Sequence, residues 1–303
     1  MVARIAGGLA GVPGALTLIG PGDDAAVVRA PDGRVVVSTD VLVEGSHFRR
    51  DWSSAEDVGH KAVAKNFADI AAMGAAPTAL VVGFAAPADV RLDWVDGLVA
   101  GLREAAGAVD AGVVGGDVVR AEKIVVAVTA LGDLQGREPV TLGGAREGDR
   151  VAVTGRLGWA AAGFTVLGRG FRSPVQVVAA HRRPEPPLEQ GVLAAQAGAS
   201  AMTDVSDGLV HDLGTIAAAS EVRIDLRSQS FAVAAKLAEV GAALNVDPLQ
   251  WILTGGDDYA LTATFPRGVE IPAGWSEVGT VFAGEGVRVD GRRLPQGGHE
   301  HFR

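Results

Sequence analysis

The chain reads as an α/β protein of two domains, and three observations predict this. Short runs rich in β-branched or tightly apolar residues alternate with helical patterns in both halves. Its 303 residues suffice for one large domain or two ordinary ones. The turn-rich, charged stretch Gly136–Gly148 separates the halves and places a domain boundary near residue 140, giving domains 1–140 and 141–303.

The elements follow in order. Asp32-Gly33 predicts a hairpin turn between two apolar strands, the second of them Arg34–Thr39. A helix starts at Ser54, where Asp57 three residues on makes a capping box, and Gly74 followed by Pro77 closes it. Strands at Thr78–Phe84 and Lys123–Leu131 flank a helix spanning roughly Leu92 to Val109. In the second half, strands are expected at Arg150–Thr154, Val222–Leu226 and Tyr259–Phe265. Helices are expected at Leu157–Leu167, Val175–His181, Glu189–Ala197, Gly208–Ala219 and Val233–Leu244. The segment His181–Pro187 reads as a rigid extended connection, and Asp290-Gly291 as a second hairpin turn.

Composition removes several classes of function. Lysine and arginine number 27 against 36 acidic residues, a net charge of −9. That argues against nucleic acid, because phosphate backbones need basic surface. There is no cysteine, so disulfides, thiolate catalysis and cysteine-held metals are excluded, and a cytoplasmic location is expected. No apolar run approaches the ~18 residues of a membrane helix, so no membrane role is expected. Met1–Gly14 lacks the pattern of a secretory signal. No phosphate-binding loop of the G-x-x-x-x-G-K-[ST] type occurs, since lysine stands only at 61, 65, 123 and 236, and the protein-kinase signature set is also missing.

What stands out is aspartate set in short turns of Gly, Ser and Thr at six separate places. They are Gly22-Asp23-Asp24, Ser38-Thr39-Asp40, Asn66–Asp69, Gly115-Gly116-Asp117, Asp204–Gly208 and Gly255–Asp258. Six converging carboxylates would cage hard cations and so handle a polyphosphate. Each also has a plainer reading. Asp207 could cap the following helix. Gly115-Gly116 could be a bulge or turn as well as a close approach to an anion. Asn66 and Asp69 share one face of a largely apolar helix, either partly exposed or buried and compensated by metal. His47 follows an acidic loop and could serve packing alone, and Lys61, Lys65 and Arg120 could touch phosphate or water.

The ordered set of these segments closely resembles the thiamine-monophosphate kinase family, of the aminoimidazole-ribonucleotide-synthetase-like superfamily of ATP-using enzymes. It takes in Glu44-Gly45-Ser46-His47-Phe48 and the terminal Glu300-His301-Phe302. The resemblance implies an N-terminal mixed sheet with helices that pairs across a homodimer into a β-barrel, and a C-terminal α/β sandwich domain. It implies transfer of the γ-phosphoryl of ATP to thiamine monophosphate. Asp24, Ser38, Thr39, Asp40, Asp69, Asp117, Asp204 and Asp207 fall where the family binds several Mg²⁺ ions. Gly116, Asp117 and Ser206 fall at its ATP, and His47 and Asp257 at its thiamine phosphate. No protein base is expected, because the acceptor is a phosphate monoester whose second pKa is about 6.

The chain departs from the family pattern in places. Leu142 stands where an arginine is frequent, leaving Arg146 as the cation to serve. Asp257 stands where glutamate is usual, and Gln296 and His299 occupy the region of a substrate-packing aromatic. Two alternatives remain at this level: another ATP-dependent synthetase of the superfamily, of the purine-pathway type, and a metal-stabilised binding protein without catalysis.

Overall fold

The structure is a computed structural model that describes residues 1–9, 14–20 and 25–294. Asp24, Gln296 and His299 lie outside the described residues. The chain separates into two compact units, Met1–Ile70 with Ala75–Gly136, and Ala71–Gly74 with Arg137–Arg303.

The first unit opens with helix α1 (Val2–Leu9) and the short strands β1 (Thr17–Ile19) and β2 (Val27–Val28), which pair with each other. Then come β3 (Val36–Val43), α2 (Ala55–Ala72), β4 (Ala76–Ala86), α3 (Leu92–Gly107), β5 (Gly112–Arg120) and β6 (Val125–Asp133). Among the described residues they build a four-stranded sheet of order β3-β6-β4-β5, mixed because only β4 and β5 run parallel. The expected capping box forms in full: Ser54 N–H donates to Asp57 at 2.9 Å and Asp57 N–H to Ser54 Oγ at 3.2 Å. The turn at Asp32-Gly33 also forms, with Asp32 accepting from Arg34 N–H. It is not a hairpin, however: β2 pairs with β1, and β3 finds its partner in β6.

The second unit holds β7 (Arg150–Thr154), α4 (Trp159–Gly168), α5 (Val175–Arg182), α6 (Leu188–Ala197), β8 (Ala201–Val205) and α7 (Leu209–Ala219). It continues with β9 (Val222–Leu226), α8 (Ala235–Leu244), α9 (Pro248–Thr254), β10 (Ala260–Phe265), β11 (Ser276–Ala283) and β12 (Gly286–Val289). Among the described residues these strands form one mixed sheet of order β12-β9-β11-β7-β10-β8. Strand β10 is buried at every position, so it reads as a continuous apolar run with two threonines rather than as alternation. Phe265 meets Trp275 edge-on at 5.5 Å in the core beneath it. The second predicted hairpin turn closes, since Asp290 and Gly291 both have positive φ and Val289 and Arg292 exchange backbone hydrogen bonds.

Three expectations need correction. Of the two readings of Gly115-Gly116-Asp117 the turn fails and the bulge holds: the segment lies in the middle of β5, just after a register shift against β4 that leaves Val114 unpaired. Strands β1, β8, β11 and β12 and helix α9 were not expected. His181 and Arg182 belong to α5, so the extended connection to α6 begins only after them.

Candidate active site

Three predicted site residues of the first unit, Ser38, Asp40 and Asp69, gather where β3 meets α2. Strand alternation puts Ser38, Asp40 and Leu42 on one face of β3, in partial or full burial. Asp69 lies on the buried side of α2, and Ser38 Oγ donates to its Oδ2 at 2.6 Å. Asn66, one turn earlier and 1% exposed, ties the strand to the helix. Its Oδ1 accepts from Asp40 N–H at 3.1 Å, and its Nδ2 donates to Ala62 O at 2.8 Å. Lys65 reaches Asp40 at 3.3 Å. Burial pushes the Asp69 carboxyl up to about 6, and the neighbouring Asp40 charge adds to this, against the Ser38 hydrogen bond and Lys65. Two carboxylates held this close, one of them desolvated, suit a divalent cation, which would relieve both the burial and the mutual repulsion.

In the second unit two acidic turns are locked together by backbone. Asp257 N–H donates to Ser206 O at 2.8 Å and Tyr259 N–H to Val205 O at 3.0 Å. Gly256 permits this contact, because a Cβ there would lie 2.1 Å from Ser206 O. Asp204 is buried on β8, and Asp207 is half-buried at the turn that enters α7. Asp207 does not cap that helix. Asp212, from within the first turn, accepts both Asp207 N–H at 3.1 Å and Gly208 N–H at 3.0 Å. His211 Nδ1 lies 3.1 Å from the other Asp212 oxygen. Burial pushes the Asp212 carboxyl up to about 6 against these hydrogen bonds. Asp207, His211 and Asp212 offer ligand atoms within 4.8 Å of one another, a grouping of the kind that holds a metal ion. Asp258, in the last of the six acidic segments, is buried. Its carboxylate accepts from Gly158 N–H at 2.5 Å and Ala160 N–H at 2.8 Å and so caps α4.

Other predicted residues stand elsewhere. The register Val41–Ala127–Gly83–Asp117 puts Asp117 on the sheet face opposite Ser38 and Asp40, and Thr39 points to that same opposite face. Thr39 Oγ1 donates to Val128 O, and Asp117 accepts from Val118 N–H. Gly116 is required by packing, since a Cβ there would lie 2.0 Å from Val82 O. His47 Nδ1 accepts from Val43 N–H at 3.0 Å, which leaves the proton of the neutral ring on Nε2. Arg146 is exposed, and Leu142 lies in a short helical turn, Leu142–Gly144. His211 and Asp212 were missed by the sequence reading. The signal available for Asp212 was an acidic residue in the first turn after Gly208, the place where a carboxylate meets free backbone N–H groups.

The comparisons with known proteins agree across the chain. Residues 22–134 match the AIR synthase related protein, N-terminal domain, and residues 146–290 match the corresponding C-terminal domain. The thiamine-monophosphate kinase of Mycobacterium tuberculosis is 51% identical over 279 residues, covering 91% of this chain and 83% of that protein. The thiamine-monophosphate kinase of Bacillus subtilis is 36% identical, covering 81% of this chain and 77% of that protein. Among solved structures, "AaThiL complexed with AMPPCP and TMP" superposes with a TM-score of 0.85 at 33% identity, covering 92% of this chain and 91% of that one. The thiamine monophosphate kinase from Aquifex aeolicus gives a TM-score of 0.82 at 32% identity, covering 90% and 92%. With half its residues shared with one such kinase along nearly its whole length, the chain belongs to the thiamine-monophosphate kinase family.

Proposed function

We propose that this protein transfers the γ-phosphoryl group of ATP to the phosphate of thiamine monophosphate, giving thiamine diphosphate and ADP. The observation that carries this reading is the 51% identity across 91% of the chain to a thiamine-monophosphate kinase. A related structure that holds AMPPCP and TMP supports the choice of the two substrates. The chemistry suits the residues present. Phosphoryl transfer is mostly positioning and charge neutralisation. At neutral pH the acceptor monoester is already largely deprotonated, so no side chain has to remove a proton.

Mg²⁺ is the cofactor of this reading, and bound ions would neutralise the charge that two approaching phosphates bring together. Asp40 and Asp69, with Ser38 beside them, are the ligands proposed in the first unit; Asp204 and Asp207 are those of the second. Asp24, Thr39 and Asp117 join the ligand set by family resemblance. Gly116, Asp117 and Ser206 are assigned to ATP, and His47 and Asp257 to the thiamine phosphate. His47 would offer its Nε2 proton to the phosphate. This division places most metal ligands in residues 1–140 and the Asp257 carboxylate in residues 141–303.

A cytoplasmic homodimer completes the reading. The sheet face that carries Val37, Val41, Val81 and Val119 leaves all four exposed, Val37 by 59% and Val119 by 53%. An apolar sheet face of this kind suits burial against a second copy, as the family's paired barrel requires. Among the described residues no helix is long and apolar enough to cross a membrane. Val41→Asp should convert the species seen by sedimentation to monomer; an unchanged sedimentation coefficient removes the barrel. The assay that decides the function mixes ATP, thiamine monophosphate and Mg²⁺ and measures thiamine diphosphate, with chelation of the metal abolishing it. Folded protein that makes no thiamine diphosphate with any divalent ion overturns the assignment.

A further inference from the structure

Tyr259 is the only tyrosine of the chain and is 1% exposed. Its φ is +52°, and that of Asp257 is +65°, so two non-glycine residues in one short turn adopt left-handed backbone. For a bulky aromatic side chain this is a rare conformation. It persists only where the surroundings over-determine it, and such residues cluster at functional sites. Three restraints over-determine this turn. Asp257 N–H and Tyr259 N–H bind the carbonyls of Ser206 and Val205. Asp258, between them, is drawn into the protein by the two N–H groups that open α4. The phenol hydroxyl of Tyr259 then turns back and donates to Asp257 Oδ1 at 2.9 Å.

We propose that Tyr259 is a positioning residue, whose hydroxyl fixes the Asp257 carboxylate in the orientation that receives the thiamine phosphate. The proposal rests on the function assigned above and deepens it. Asp257 is one methylene shorter than the glutamate usual at this place, so its reach depends more on the direction in which it is held. A hydrogen bond from a buried phenol supplies that direction, because a carboxylate free to rotate would lose freedom on every binding event. The left-handed turn is what allows it. With Asp257 and Tyr259 both in that region, the side chains two residues apart meet, while Asp258 faces the other way into the α4 cap.

Tyr259→Phe keeps the ring and removes only the hydroxyl. Loss of a hydrogen bond to a charged acceptor should lower kcat/KM for thiamine monophosphate by about tenfold. KM for ATP should stay within about twofold, and the melting temperature should change little. In a background already carrying Asp257→Ala, the same substitution should have no further effect, because the residue acts through that carboxylate. A lower melting temperature with unaltered substrate parameters would reduce Tyr259 to a packing role and overturn the proposal. Should Tyr259→Phe fail to fold, the wild type still decides. Its single tyrosine gives one phenol signal in ultraviolet resonance Raman spectra, and saturating thiamine monophosphate should shift it; an unshifted signal overturns the proposal. A wild type without turnover overturns the assigned function and this role with it. An active wild type whose Tyr259→Phe variant keeps its kcat/KM for thiamine monophosphate overturns the role alone.

Discussion

The two acidic regions of the molecule are built on different principles. In the first unit, Ser38, Asp40, Asn66 and Asp69 project from one strand and one helix and are organised by side-chain hydrogen bonds. In the second, Asp204–Gly208 and Gly255–Tyr259 are turns welded by backbone hydrogen bonds, a glycine contact and left-handed residues. The regular elements of the first would stand without its carboxylates, which makes Asp69 a desolvated charge held by a scaffold that does not need it. The second region is its own scaffold: the same few residues shape the turn and carry the chemistry. Charge substitutions should therefore injure function in the first region while sparing stability, and backbone substitutions in the second should injure both.

The largest expected effect tests the first half of that contrast. Asp69→Asn should cut turnover by on the order of 100-fold or more, since a metal ligand contributes several kcal/mol of charge stabilisation. Ser38 Oγ can still donate to the new carboxamide, so melting without metal should be unchanged or raised. A melting temperature that falls together with activity would place the residue in the scaffold after all. Gly256→Ala tests the second half. Its Cβ must displace Ser206 O, 2.1 Å away, and such overpacking costs about 2 kcal/mol, or on the order of 4 °C in melting temperature for a protein of this size. Activity should fall with it. A variant that melts normally would show that the two turns slide apart freely.

The smallest effect concerns pH. Burial pushes the Asp258 carboxyl up to about 7 in spite of the two backbone donors. A carboxyl raised on folding contributes stability that is fully present below its unfolded pKa near 4 and is lost as pH rises through about 7. Asp258→Asn removes this proton-linked part. The margin by which the wild type outmelts that variant should therefore be widest near pH 4 and narrow steadily as the pH is raised to 8. A margin that widens with pH would mean the carboxylate is held ionised by the α4 terminus.

Much of this was legible beforehand, for identifiable reasons. Arg150–Thr154 and Val222–Leu226 are strands to the residue because their β-branched runs are bounded by turn formers. The box at Ser54 and Asp57 is a local interaction and formed as read. Strand β5 was hidden because Gly-Gly-Asp is turn chemistry in isolation, and only pairing with β4 makes it extended. Thr39 looked like part of one carboxylate cluster because it adjoins Ser38 and Asp40. The two-residue period of a strand sends it to the other face, a consequence that could have been drawn from the sequence. Asp212 announced itself only as an acidic residue in the first turn of a helix, and Asp258 could not be found that way. Both act as caps for backbone N–H groups, and in Asp258 the capped helix begins about 100 residues away.

The sequence by itself determined the α/β alternation, the exclusion of thiol and phosphate-loop chemistry, and which six short segments concentrate carboxylates. These are matters of local periodicity and side-chain chemistry, and both are carried by neighbours in the chain. The tertiary structure alone decided which of those carboxylates are desolvated, which are spent on capping helices, and which aspartate a lone tyrosine holds. Burial and hydrogen-bond partnership depend on segments far apart in sequence, and no window along the chain contains them.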